Sequence, residues 1–392
     1  MIDNNPSIKK NIPTNMAHIG EEEIRAVSEI LKENRLSVFT SEKIEKFEKN
    51  FSSYHQTKHA VALNSGTAAL HSALLACDIS KMDEVIVPVY TYAATALTVA
   101  QIEAKPVFVD IDPETLNIDL EKLESNITNK TKAIIPVHLF GNPIDMDHLT
   151  ELAEKHDLKI IEDCAQALGA TYNGKRVGTF GDVGCFSFQE NKNITTGGEG
   201  GMVITKNDEL ADRIRIVSHE GEVYADKRSS ARTIPGPLPI DYIMTGYNYR
   251  MNAIQAAIGD VQLSKLEKMN NIRKSIATDY IKALERDGIS FQKIDQKAEH
   301  VFSSFVFRIN KDKIAPRDMI LMLLNSEGVP AYTYYPTPLN ETKMFKDSNV
   351  FENAKKFCSD QILLPCYPLL KNDDQKMIIE TINKNIDSIG LV

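Results

Sequence analysis

Apolar residues recur along the first two hundred positions of this chain in two alternating rhythms. Short unbroken apolar runs are separated by segments in which apolar residues return every three or four positions. Residues 21–34 (EEEIRAVSEILKEN) place Ile24, Val27, Ile30 and Leu31 on one helical face behind an acidic first turn, the charge a helix N-terminus favours. Residues 59–64 predict a strand, 66–77 a helix rich in Ala and Leu, 85–87 a buried strand stopped by Pro88, and 93–102 a helix. Residues 107–109 form a strand that runs into Asp110-Ile111-Asp112-Pro113, a turn signal. Further strands are expected at 133–137, 159–163, 183–188 and 202–204, with helices near 145–156 and at 208–217. This alternation predicts an α/β fold: a large, doubly wound, mostly parallel sheet with helices on both faces. In such sheets ligands bind beyond the carboxyl ends of the strands.

After about residue 208 the rhythm changes. Residues 219–245, with Pro235, Pro237 and Pro239, form a stretch longer than ordinary connections. It reads equally as a lid or substrate loop and as a solvated surface loop. Residues 252–285 predict one or two long helices, and 286–392 mix short strands such as 305–309 with helices, as a smaller α/β domain would.

A length of 392 residues is enough for one large domain and a smaller one, and 42% hydrophobic with 25% charged residues is an ordinary globular balance. The net charge of -9 argues against nucleic acid as a partner. No apolar run approaches the roughly 18 to 20 residues of a membrane span, and the first twenty residues have no apolar signal core. The five cysteines form no Cys-x-x-Cys pair; they read as reduced, mostly buried thiols of a cytoplasmic protein.

The chemistry concentrates in Cys185-Phe186-Ser187-Phe188-Gln189-Glu190-Asn191-Lys192, which sets one lysine between an apolar strand and the glycines at 197, 198, 200 and 201. Glycines there permit close backbone approach. The strand 159–163 ends on Asp163. A lysine and an aspartate on neighbouring strand ends suit a pyridoxal phosphate enzyme, the lysine forming the Schiff base and the aspartate keeping the ring nitrogen protonated. Asn64-Ser65-Gly66-Thr67-Ala68 is a strand, a tight turn and a helix start, whose N–H groups suit a phosphate, although taken alone such a turn is most often just an N-cap. Asp163 alone could cap a helix, and Tyr92 alone could be a half-buried core tyrosine.

The joint order of these segments resembles the DegT/DnrJ/StrS family of pyridoxal phosphate-dependent sugar aminotransferases. The resemblance covers nearly the whole chain: NSGTAAL (64–70), VPVYTYAATA (87–96), PVFVDIDPETLNID (106–119), PVHLFGNPIDMD (136–147), EDCAQALGA (162–170), FSFQENKN (186–193), GEGGMV (198–203), GYNYRMNAIQAAIG (246–259) and LPCYP (364–368). It implies the aspartate-aminotransferase type of fold, with a large cofactor-binding domain at 1–250 and a small C-terminal domain at 251–392 that includes the linking helix. It implies that Lys192 binds pyridoxal 5'-phosphate and later moves protons, and that Asp163 pairs with the ring nitrogen. Gln166 is to contact the ring or its hydroxyl, Tyr92 to stack on it, and Gly66, Thr67, Ala68 and Ser187 to hold the phosphate. Asn248 is to reach the phosphate of a neighbouring subunit, making the active sites of a homodimer shared. His219, Tyr224, Arg228 and Tyr335 are candidates for the substrate.

The implied reaction takes an amino group from glutamate or glutamine and gives it to a keto-sugar, nucleotide- or phosphate-linked. A keto-cyclitol acceptor is the alternative, and a cofactor-binding regulator without turnover a third reading. The chain departs from the family pattern at Phe39-Thr40-Ser41, Asn340, His219-Glu220-Gly221 and Gly197-Gly198. The resemblance places these positions around the substrate pocket, so they bear on the acceptor and not on the cofactor.

Overall fold

The computed structural model describes residues 12–224, 240–310 and 317–389. The elements run α1 Glu21–Glu33, α2 Lys43–His55, β1 His59–Leu63, α3 Gly66–Ala76, β2 Glu84–Pro88, α4 Ala94–Gln101, β3 Lys105–Val109, α5 Leu120–Leu123, β4 Thr131–Ile134, α6 Met146–His156 and β5 Lys159–Asp163. They continue with β6 Thr171–Tyr172, β7 Lys175–Arg176, β8 Val183–Ser187, β9 Gly201–Thr205, α7 Asp208–Ser218, β10 Glu222–Tyr224, β11 Ile240–Tyr242 and α8 Ala253–Leu284. The C-terminal part holds β12 Ile289–Phe291, β13 Ala298–Glu299, β14 Phe305–Ile309, α9 Arg317–Ser326, α10 Glu352–Asp360, β15 Gln361–Leu364 and α11 Asn372–Ile389. No described helix is long and apolar enough to cross a membrane.

Seven strands make the large sheet, in the order β1-β9-β8-β5-β4-β2-β3. The pairings from β8 through β5, β4 and β2 to β3 are parallel, whereas β9 runs antiparallel to both β1 and β8. The sheet is buried on both sides, which is why its strands read as continuous apolar runs. Along β2, Val85 and Val87 join the cluster beneath α3 and α4, while Ile86 joins the one beneath α6. At the other end Ala60, Ala62, Phe186, Phe188, Met202 and Ile204 pack against Phe47 and Phe51 of α2 and the first half of α8.

α8 is a single helix of 32 residues, opened by a capping box between Asn252 and Gln255. Its first half closes the core under β8 and β9. Its second half, through Ile276, Ala277, Tyr280 and Leu284, packs on the antiparallel sheet β12-β14-β15 and on α9 and α11. All five cysteines are free and buried.

Three features differ from the sequence expectation. The fourth strand ends at Ile134 rather than at residue 137. Pro136 has no N–H to continue a ladder, and beyond β4 the chain keeps only a parallel bridge from Val137 to Asp163 at the end of β5, where Asp163 N–H donates to Pro136 O at 2.8 Å. Within 219–245, the antiparallel strand pair β10 and β11 replaces part of the expected irregular stretch. α2 was not foreseen, although Ile44, Phe47 and Phe51 recur at helical spacing and are buried.

Phe51 is fully buried between Phe47, His55, Phe186 and Phe188, with ring centroids 4.4–6.0 Å away. Phe51→Ala is expected to lower unfolding stability by about 3 to 5 kcal/mol, read from the denaturant midpoint. Burial lowers the pKa of His55 and of His300 to about 3. Both are neutral when folded and gain a proton when unfolded below roughly 6.5. Stability is therefore complete above that pH and is lost as pH falls toward 3. The urea midpoint should drop between pH 7 and pH 5, and His300→Gln should flatten that slope.

Candidate active site

The carboxyl ends of β5 and β8, the turn after β2 and the start of α3 enclose a cavity of about 430 Å³. Its walls include Ser65, Gly66, Thr67, Thr91, Tyr92, Thr95, Asp163, Gln166, Ser187, Gln189, Asn191, Lys192, Glu199 and Tyr334. Lys192 and Asp163, 29 positions apart in sequence, thus face one space.

Asp163 is the last residue of β5 and is 5% exposed. Its Oδ2 accepts from Thr95 Oγ1 at 2.9 Å and its Oδ1 from Ala165 N–H at 3.1 Å. Burial raises its pKa, opposed by those two bonds and by the Lys192 charge. Burial lowers the pKa of Lys192, opposed by the charges of Asp163 and Glu199. A carboxylate out of water with only two donors has acceptor capacity left for a cation. A lysine whose charge is disfavoured spends more time as a neutral nucleophile.

At the other end of the cavity Ser65 caps α3, its Oγ accepting from Ala68 N–H at 3.1 Å. The amide of Ala68, expected to face a phosphate, is therefore already taken, and Ala68 is not in the cavity wall. Gly66 and Thr67, the first two helical residues, have no intrahelical acceptor for their N–H groups and do line the cavity. This turn is compressed. A Cβ on Gly66 would lie 2.7 Å from Ser187 Cβ, and one on Gly201 would lie 2.2 Å from Ser65 O. Gly201 thus makes room for the Ser65–Gly66 turn against β9, a close backbone approach of the kind the sequence suggested for these glycines. Nothing lies within 4 Å of the Cβ position on Gly198, whose φ is +115°.

Gln166 is fixed by Phe140, whose N–H donates to Oε1 at 2.9 Å, and its Nε2 lies 3.4 Å from Tyr335 Oη. Tyr92 is 58% exposed at the cavity wall. Tyr335 stands behind the wall, its ring centroid 4.3 Å from Tyr334 and 6.1 Å from Tyr92; Tyr334 is the one that lines the space. His219 is not brought to the cavity. It ends α7, with Nδ1 3.0 Å from Arg215 O, and its ring meets Phe39 edge-on at 6.1 Å. Burial, and next the Arg250 charge, lower its pKa to about 4. Asn248 is exposed and outside the cavity of its own chain, its carbonyl accepting from Asn64 Nδ2 at 3.2 Å. Tyr224 closes β10, and Arg228 lies outside the described residues. Thr95, Ser65 and Glu199 complete the wall; the Ser65-x-x-Ala68 cap was legible in sequence, whereas Thr95 and Glu199 carried no local signal.

The geometry fits pyridoxal 5'-phosphate. A buried carboxylate at one end suits a cationic ring nitrogen, a half-buried lysine suits an aldehyde, and two unpaired helix-start amides with Ser65 and Ser187 suit a phosphate. Comparison with known proteins points the same way. Residues 17–383 match the DegT/DnrJ/EryC1/StrS aminotransferase family. A GDP-perosamine synthase of Caulobacter vibrioides is 38% identical, over 87% of this chain and 89% of that protein. A pleiotropic regulatory protein of Geobacillus stearothermophilus is 36% identical, over 92% and 93%. The crystal structure of an aminotransferase from Psychrobacter cryohalolentis superposes with a TM-score of 0.90 at 32% identity, covering 97% of this chain and 99% of that one. The chain belongs to the DegT/DnrJ/EryC1/StrS aminotransferase family and is a pyridoxal phosphate-dependent transaminase.

Proposed function

We propose that the enzyme transfers an amino group from glutamate or glutamine to the ketone of a nucleotide- or phosphate-linked sugar, in amino-sugar biosynthesis. The observation that carries this reading is the placement of Lys192 and Asp163 on one cavity that begins at a helix N-terminus. The GDP-sugar name of the Caulobacter relative supports a nucleotide-linked acceptor. The wall supports a hydroxylated one. Gln166, Gln189, Asn191 and Glu199 offer amides and a carboxylate to ring hydroxyls, and Lys192 is the only cation among the described wall residues. A keto-cyclitol would meet the same groups and is the second reading. The regulatory name of the Geobacillus relative favours no loss of turnover here, since the lysine and the aspartate are both present.

The bound cofactor supplies an electron sink for the carbon that loses its proton. Asp163, anchored by Thr95 and the Ala165 amide, holds a proton on the ring nitrogen. Lys192 Nζ would hold the cofactor's aldehyde carbon and, once free, would be the base that takes the proton from the donor carbon and delivers it two atoms away, beyond the shared nitrogen. Gly66 and Thr67 amides, with Ser65 and Ser187, hold the phosphate; Tyr92 covers the ring face and Gln166 its hydroxyl edge. Asn248, exposed away from its own cavity, serves the phosphate of a second copy in a homodimer.

Lys192→Ala should fold, bind the cofactor weakly and show no turnover; measurable transamination would remove the lysine from its role. Asp163→Asn should lose turnover by 100-fold or more, an electrostatic preorganisation effect of about 3 kcal/mol, with a much smaller loss of cofactor affinity because the phosphate contacts stay. The visible band of the holoenzyme should bleach with glutamate or glutamine and return with a keto-sugar; indifference to both donors would refute this donor class. Mixing Lys192→Ala with Asn248→Ala protein should restore activity in hybrid dimers, each supplying what the other lacks, and no recovery would argue against a shared site.

A further inference from the structure

His138 and Glu162 form a fully buried pair, both 0% exposed, that the chemistry above does not use. His138 Nε2 lies 3.2 Å from Glu162 Oε2. With Cys164 they are close enough to suggest a metal site, but the electron pairs of His138 and Glu162 are spent. Glu162 accepts from the N–H groups of Gly178 at 2.6 Å, Phe180 at 2.8 Å and Gly181 at 2.8 Å as well as from His138. The N–H of Ile144 can only donate, so at 3.2 Å it makes His138 Nδ1 an acceptor and puts the imidazole proton on Nε2, aimed at Glu162. Both nitrogens and the carboxylate are thereby committed.

The pair sits where the chain leaving β4 runs beside the end of β5, bridged in parallel from Val137 to Asp163. His138 N–H donates to Asp163 O at 3.2 Å, and Asp163 N–H donates to Pro136 O at 2.8 Å. Two residues on, Phe140, held at a φ of +58°, gives its N–H to Gln166. The segment from Pro136 to Ile144 therefore clamps the backbone of Asp163 and the amide of Gln166 together; Asn117, Asn142 and Gln292 tie its outer part, and the His138–Glu162 bond is its side-chain anchor to β5. We propose that His138, through Glu162, is a positioning residue that sets the height of the Asp163 carboxylate and the rotation of the Gln166 amide against the cofactor ring. The inference rests on the role given to Asp163 above.

Two variants separate the anchor from mere space-filling. In His138→Gln the amide nitrogen reaches Glu162 and keeps the donation; in His138→Asn the side chain satisfies Ile144 but falls short of Glu162. In the holoenzyme His138→Asn should lower kcat roughly tenfold or more, as small misplacements in a preorganised site do, with KM nearly unchanged. It should also raise the pH midpoint of the cofactor's visible absorbance, because a less protonated ring lets the nitrogen joined to Lys192 hold its proton longer. His138→Gln should restore both within about threefold. Equal loss in both variants, or wild-type kcat and midpoint in His138→Asn, overturns the proposal. Should His138→Asn fail to fold, 15N resonances of the wild-type imidazole decide: a proton on Nε2 with Nδ1 accepting supports the anchor, and an Nδ1–H ring overturns it. Asp163→Asn measured alongside tells the two failures apart. If it too keeps full turnover, the reading of Asp163 fails; if it loses turnover while His138→Asn does not, only the positioning role fails.

Discussion

The site depends on keeping one carboxylate, that of Asp163, charged and out of water at the end of a parallel strand. Burial works against the charge, and the surrounding structure is arranged to offset it. The hydroxyl of Thr95 and the amide of Ala165 donate to it, and Lys192 faces it across the cavity. A buried charge with unused acceptor capacity is costly until a cation arrives, so the same arrangement that strains the free protein gives it affinity for a cationic ring. The position of β5 in the middle of a sheet covered on both faces keeps that carboxylate from relaxing toward solvent.

Much of this was legible in the residues. Apolar runs bounded by Pro, Gly and Asp located the strands of the large sheet to within a few positions, and helical spacing located α1, α3, α4, α6 and α7. The residues themselves pointed to Lys192, Asp163, Gly66, Thr67 and Tyr92, the family resemblance added Gln166 and Ser187, and all seven line the cavity. What sequence could not supply is pairing between distant segments. That Thr95 would donate to Asp163, 68 positions away, or that Phe140 would fix Gln166, depends on which strand ends meet. Two of the expected contacts are not prepared within this chain. Ala68 was assigned to a phosphate because a helix start exposes N–H groups, but Ser65 claims that one first. His219 was a substrate candidate because it opens the segment 219–245 with its basic residues; within this chain it closes a helix on Arg215 O and packs on Phe39.

Two of the departures from the family pattern touch one another. Phe39 meets His219 edge-on, and the Arg250 guanidinium lies 5.4 Å from the Phe39 ring while pairing with Glu220. They form one aromatic and ionic cluster outside the described cavity, so the unusual residues at 39 and 219–221 act as a unit. The cofactor end of the site contains none of them.

The single long helix α8 also has a consequence for the order in which the chain can become a protein. Ala253, Ala256, Ala257, Leu263 and Leu266 cover Phe47, Phe51 and Phe188, while Gln262 and Lys265 hold the first helix through the His18 carbonyl and Glu23. A nascent chain of about 250 residues has every strand of the large sheet but lacks the lid over this phenylalanine cluster. During synthesis that apolar surface stays open until α8 has left the ribosome, which makes the interval a time of exposure to aggregation and a natural point of chaperone engagement.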